Sequence, residues 1–136
     1  MKSYTDIEQS KKLVEVLPLE SVDMYYQYVL PKSDKIKHNP EIGNPVNTLK
    51  WYNKGYTMSG KEPVTLDEYC IPCWSLAALL NVLPNGTDVV KEEADTENER
   101  YMCTVGINDD IISTFANNPI DVCYEMILKL HKLKML

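Results

Sequence analysis

Cys70-Ile71-Pro72-Cys73-Trp74-Ser75-Leu76-Ala77-Ala78-Leu79-Leu80-Asn81-Val82-Leu83-Pro84 is the most apolar run in the chain, and it contains a C-x-P-C motif. Pro72 suits the first turn of a helix, because its fixed φ is helical and its missing N–H has no partner there anyway. The residues that follow are good helix formers. Cys73, Leu76, Ala77, Leu80 and Leu83 recur at helical spacing, and Leu79 widens the stripe. The pattern predicts a core helix over 73–83, stopped by Pro84-Asn85-Gly86 and too short to cross a bilayer.

The two thiols admit a chemical reading. A C-x-P-C at a helix start resembles the redox pair of thioredoxin-like proteins, where the helix N-terminus lowers a thiol pKa. Such a site follows a buried apolar strand, whereas Lys61-Glu62-Pro63-Val64-Thr65-Leu66-Asp67-Glu68-Tyr69 is polar and interrupted by proline. The context favours Cys73 as a small core residue, with Cys70 on the approach to it.

Working outward, the 136 residues are the usual size of one domain, so 1–136 is read as a single unit. A chain of that length buries enough surface to hold a core without disulfide staples. The net charge of −6 works against nonspecific binding to nucleic acid or anionic membranes. Met1-Lys2-Ser3-Tyr4-Thr5-Asp6 is not followed by an apolar run, so no signal peptide is read. The expected location is the cytoplasm, where four cysteines stay reduced.

Thr5-Asp6-Ile7-Glu8 matches a capping box opening a helix over 6–16. Ile7, Leu13, Val14 and Leu17 give that helix an apolar side, interrupted by Ser10, and Pro18 ends it. Val22, Met24, Tyr26, Tyr28 and Leu30 then alternate, which predicts a strand over 22–30. Its tyrosines suit cross-strand packing better than ligand stacking.

Prolines and glycines make 31–63 an irregular loop. It carries six lysines against three acids, the one sizeable net-positive segment. Lys50, Trp51, Tyr52, Lys54 and Tyr56 form its lysine–aromatic cluster and are the candidate binding surface, because long irregular segments in compact domains are often functional. The same composition resembles a single-strand nucleic-acid surface, but the acidic whole favours a solvated loop. Residues 85–100 are rich in Asp and Glu without the spacing of a calcium loop, and are read as a solvated acidic loop.

Tyr101–Ile107 and Ile111–Phe115 flank Asn108-Asp109-Asp110, a hairpin pattern. Asn118 or Asn117 can cap a last helix over 119–133, with Pro119 in its first turn. Asp121 at one end and Lys129, His131, Lys132 and Lys134 at the other complement the helix dipole. Ile120, Cys123, Ile127, Leu130 and Leu133 mark its inward face.

Cys70 and Cys73 also form half of a common zinc pattern. Cys103 and Cys123 are isolated and fall on apolar faces, which suits buried free cysteines, so no metal and no cofactor are expected. His38 and His131 lie in no hydrolase-like setting, and no phosphate-cradling glycine loop is present.

Three phrases together carry a resemblance. They are Glu8-Gln9-Ser10-Lys11-Lys12-Leu13 leading to Leu17-Pro18-Leu19-Glu20-Ser21, Cys73 to Leu80 with Leu83-Pro84, and Asn118-Pro119-Ile120-Asp121 through Glu125 to His131. They resemble small proteins of Bacteroidales genomes, often found in prophages or other mobile elements. The resemblance implies a bacterial or phage cytoplasmic accessory protein and supplies no catalytic residue. In layout, the hairpin followed by Asn-Pro-Ile-Asp and an amphipathic helix is also similar to HicB-like antitoxin domains, although no basic DNA-binding element accompanies it here.

The sequence therefore predicts an α+β domain with three helices packed on one face of a small, mainly antiparallel sheet. Its strands are expected at about 22–30, 101–107 and 111–116, with one or two more between 48 and 71. Leu76, Leu80, Leu83, Val105, Ile107, Ile127 and Leu130 are the expected core, with Leu80→Ala costing about 2–5 kcal/mol. The expected function is that of a non-enzymatic interaction protein. Its partner would be another protein or a second copy of the chain, rather than nucleic acid or a membrane, met on the 31–63 loop or an exposed sheet edge. A thiol-redox or zinc protein using Cys70 and Cys73 is the alternative, and a nucleic-acid accessory protein the second.

Overall fold

In the computed structural model, which describes residues 2–29, 41–46, 70–92 and 100–136, the apolar run at 70–84 divides into a strand and a shorter helix. The helices are α1 (Ile7–Val16), α2 (Leu76–Val82) and α3 (Pro119–Lys132). The strands are β1 (Met24–Val29), β2 (Glu41–Val46), β3 (Cys70–Cys73), β4 (Asp88–Glu92), β5 (Arg100–Ile107) and β6 (Asp110–Ala116). A 3-10 turn, Leu19–Ser21, links α1 to β1.

Pro72 thus sits in β3 and does not start a helix. Among the described strands β3 lies at the edge of a sheet ordered β2-β1-β3, where a residue without an N–H can be accommodated. The helix begins three residues later than expected because Ser75 is the better cap. Its hydroxyl accepts the Ala78 N–H at 3.2 Å. Asp23 holds that cap in place by accepting both the Ser75 N–H, at 2.9 Å, and the Ser75 hydroxyl. With the shorter helix, Ala78, Leu79 and Leu83 are buried, while Leu80 is 41% exposed and leaves the expected core. Leu76 and Ile107 are only partly buried against the core; Leu83, Val105, Ile127 and Leu130 are buried in it.

The first helix also starts one residue late. Asp6 accepts the Gln9 N–H at 2.8 Å and Gln9 Oε1 accepts the Asp6 N–H at 3.1 Å, a reciprocal box that takes the place of Thr5 with Glu8. Thr5 is thereby free to turn inward. Thr5 and Ser10 are fully buried polar residues, and their hydroxyls bond each other at 2.7 Å. Val14, expected on the apolar side, is instead exposed.

Strand β1 is central in its sheet and antiparallel to both neighbours. Successive residues of a strand face opposite ways, yet Tyr25 and Tyr26 are both buried. Tyr25 joins the larger core and Tyr26 a smaller one with Ile71 and Cys73, so both faces are covered where one was expected.

A second antiparallel sheet has the order β4-β5-β6. The acidic stretch read as a loop contains β4, whose Val89 sits opposite Cys103 and packs against the core. The 31–63 stretch likewise contains β2. Asn108 and Asp109, with φ of 50° and 70°, make the two-residue turn from β5 to β6 that matches strand twist. Helix α3 lays Ile120, Cys123, Ile127 and Leu130 into the larger core and packs on β5 and β6.

The fold is α+β, with three helices and two three-stranded antiparallel sheets among the described residues. One sheet with all helices on one face was expected. Instead α1 packs against β3, α3 against β5 and β6, and α2 against α3. No described helix is long and apolar enough to cross a membrane.

Candidate binding surface

The site follows from hairpin geometry. Ile107 and Asp110 close the two-residue turn, and from there residues on β5 and β6 pair as Val105 with Ile112, Cys103 with Thr114 and Tyr101 with Ala116. In an antiparallel ladder alternate residues bond to the neighbouring strand and the rest direct N–H and C=O away from it. The main-chain groups of Ile111, Ser113 and Phe115 therefore point outward from the sheet. No described strand pairs with this edge. The Ser113 carbonyl accepts the Lys129 ammonium at 3.3 Å, which matches the outward direction.

Asn117 and Asn118 reverse the chain at once, so α3 runs back beside β6. Asp121, Glu125, Leu128, Lys129 and Lys132 share one stripe of the helix. Together with the end of β6 they enclose an open groove of about 700 Å3. The floor is thus a helix face and one wall is a strand edge that no described strand pairs with. A second groove, of about 690 Å3 between the end of α1 and α2, is lined by Val16, Val82 and Leu136 and offers no strand edge.

Charge is graded along the first groove. At its Asp121 end, Lys2 Nζ donates to Asp121 at 2.8 Å, to Gln9 at 2.7 Å and to Asp6 at 3.0 Å. Gln9 and Asn118 add bonds to Asp121, each at 2.8 Å. Burial alone would raise the Asp121 carboxyl, but the bonds from Lys2, Gln9 and Asn118 outweigh it and hold it below the usual carboxylate range. Burial likewise opposes the charge on Lys2, and its bonds to Asp121 and Asp6 outweigh that and raise it. This end is a closed network in which one ammonium serves two carboxylates. Lys129 and Lys132, at the other end, are exposed.

The face of the β4-β5-β6 sheet away from α3 carries Val90, Met102 and Phe115 in one cross-strand row. Phe115 and Val90 are about half exposed, and Ile111 is 76% exposed. The Arg100 guanidinium stacks 4.1 Å over the Phe115 ring and pairs with Glu92 at 3.0 Å.

Of the sites expected from the sequence, Lys50, Trp51, Tyr52, Lys54 and Tyr56 lie outside the described residues, as does His38. Cys70 and Cys73 fall on one strand and not at a helix start. Three residues of strand separate their Cα atoms by about 10 Å, beyond disulfide reach. The Cys73 thiol is buried and donates to the Thr5 carbonyl at 3.4 Å, and burial pushes its pKa up, contrary to a reactive thiol. Cys103 and Cys123 are free, buried thiols of the larger core, apart from Cys73 in the smaller one. Among the described residues no three His, Cys, Asp or Glu side chains are grouped to hold a metal. His131 sits exposed in the last turn of α3.

Sequence reasoning assigned Lys129 and Lys132 to the helix dipole alone. Their place beside a strand edge depends on the tight Asn117-Asn118 reversal, which was visible only as a helix cap. Compared with known proteins, the chain matches no family model, no curated protein and no solved structure.

Proposed function

We propose that this protein is a non-enzymatic interaction protein that takes up a partner segment in extended form along the outer edge of β6. The observation that carries the reading is the outward set of main-chain groups at Ile111, Ser113 and Phe115, set beside the groove on α3. An extended peptide gains affinity by adding a strand to such an edge and specificity from pockets for its alternate side chains. A row of outward N–H and C=O groups is a template for pairing with another chain. The setting, a cytoplasmic accessory protein of a bacterium or its prophage, is supported by the resemblance of the three phrases quoted above.

Ser113→Pro tests the site. Ser113 spends no N–H on β5, so proline is tolerated in the edge strand while an added strand loses a bond. Peptides selected from a displayed random library against the protein should slow amide exchange at Ile111, Ser113 and Phe115, and should not bind the proline variant. Selected peptides that protect another surface, or that bind the variant equally well, would overturn the reading.

A further inference from the structure

We infer that the segment received at β6 is an amphipathic acidic strand, with carboxylates alternating with apolar side chains; this rests on the strand-addition reading above. A strand added to β6 presents alternate side chains to the two faces of the sheet. On one face they meet Ile111 and Phe115, the exposed apolar residues of β6; Met102 and Val90 continue the row of Phe115, over whose ring the Arg100 guanidinium lies. On the other face they meet the groove on α3, where Lys129 and Lys132 are exposed.

The spacing fits. Three helical residues advance by about 4.5 Å and two strand residues by about 7 Å, a difference that flexible lysine side chains span. Glu125 and Asp121, the latter paired with Lys2, occupy the far end of the groove. The acidic positions therefore belong beside Ser113 and Ile111, which in an antiparallel addition is the peptide's C-terminal half. The net charge of −6 opposes an acidic partner at long range, but charges beyond about 8 Å are largely screened at physiological salt.

Lys129 also argues against a second copy as the occupant. Two-fold pairing centred on Ser113 would bring two Lys129 ammonium groups, each lying on its own Ser113 carbonyl, to the symmetry axis. Lysine at a strand edge is a common guard against such pairing. An acidic peptide reverses the effect. It displaces the ammonium from the Ser113 carbonyl, takes that acceptor with a backbone N–H and offers a carboxylate to the freed lysine.

The test uses three fluorescein-labelled octapeptides in which valine alternates with glutamate, glutamine or lysine, followed by anisotropy on the full chain. The glutamate peptide should bind about fivefold tighter than the glutamine peptide at physiological salt, the lysine peptide weakest. The K129Q/K132Q variant, changed only at exposed positions, should close that gap, as should about 0.5 M salt. Ser113→Pro should lose all three peptides, with its circular dichroism unchanged. If glutamate and glutamine peptides bind equally and Ser113→Pro still abolishes binding, the acidic preference is overturned and strand addition stands. If all bind equally to Ser113→Pro, or none binds the native chain, both fail. If sedimentation shows a dimer that Ser113→Pro dissociates, the occupant is a second copy and the inference is wrong.

Discussion

The Thr5 hydroxyl accepts the Trp74 amide N–H at 3.1 Å, and the Thr5 amide N–H donates back to the Trp74 carbonyl at 2.9 Å. This exchange ties the segment before α1 to the end of β3, and the Tyr26 hydroxyl adds a bond to the Thr5 carbonyl at 2.6 Å. Thr5→Val keeps the shape and deletes the hydroxyl, leaving a buried N–H without its acceptor. The expected loss is about 1–3 kcal/mol, read from urea unfolding. An unchanged midpoint would show that the hydroxyl contributes nothing net.

Leu79 and Leu80 are adjacent in sequence and opposite in environment. Leu79 is fully buried, so Leu79→Ala should cost about 2–5 kcal/mol. Leu80→Ala, at a 41% exposed position, should cost less than about 1 kcal/mol. Parallel melting curves decide the register of α2; the reverse order would place the helix face as the apolar stripe alone suggested.

The Lys2–Asp121 contact gives stability an acid arm and an alkaline arm. The Asp121 pKa is lower folded than unfolded, so its contribution is present above the unfolded value and is lost as pH falls through the folded one. The Lys2 pKa is raised, so its contribution is present below the unfolded value and is lost as pH rises through the folded one. Asp121→Asn should flatten the decline between about pH 5 and pH 2. Melting temperature against pH for both proteins is the measurement, and parallel curves would count against the linkage.

Buried thiols should be slow. Burial raises Cys73, and the neighbouring Cys103 thiol and burial raise Cys123; Cys123 lowers Cys103 in turn, but all three thiols are fully buried, out of reach of reagent. Iodoacetamide at neutral pH should label Cys73, Cys103 and Cys123 only after unfolding, as read by mass spectrometry. Rapid native labelling of Cys73 would restore the thiol reading of the C-x-P-C motif.

The β5–β6 turn is not optimised. Asp109 holds a φ of 70°, a region glycine enters without steric cost. Asp109→Gly should therefore stabilise by about 0.5 kcal/mol, or about 2 °C in melting temperature. A lower melting temperature would mean that the aspartate side chain supports the turn.

Elements with a strong local signal were legible. Asn108-Asp109 between two alternating runs specifies a hairpin by backbone conformation alone. Asn118-Pro119-Ile120-Asp121 specifies the start of α3 by capping chemistry: the Asn118 side chain accepts the Asp121 N–H at 2.9 Å, as its residue type predicts. The weak signals were those with two local solutions. Thr5 and Asp6 can both cap α1, and Pro72 and Ser75 can both open the second helix.

What the sequence determined by itself was the α+β class, the β5–β6 hairpin, α3 and most of the buried face of α3, because each depends on contacts within a few residues. Tertiary structure decided the rest. Cys70–Cys73 becomes a strand because β1 offers it a ladder, and Ser75 wins the cap because Asp23, 52 residues away, holds its hydroxyl and its N–H. The same is true of the binding surface. Lysine on a helix is only a charge, and it becomes part of a groove because packing sets α3 beside a strand edge whose main-chain groups have no described strand to bond.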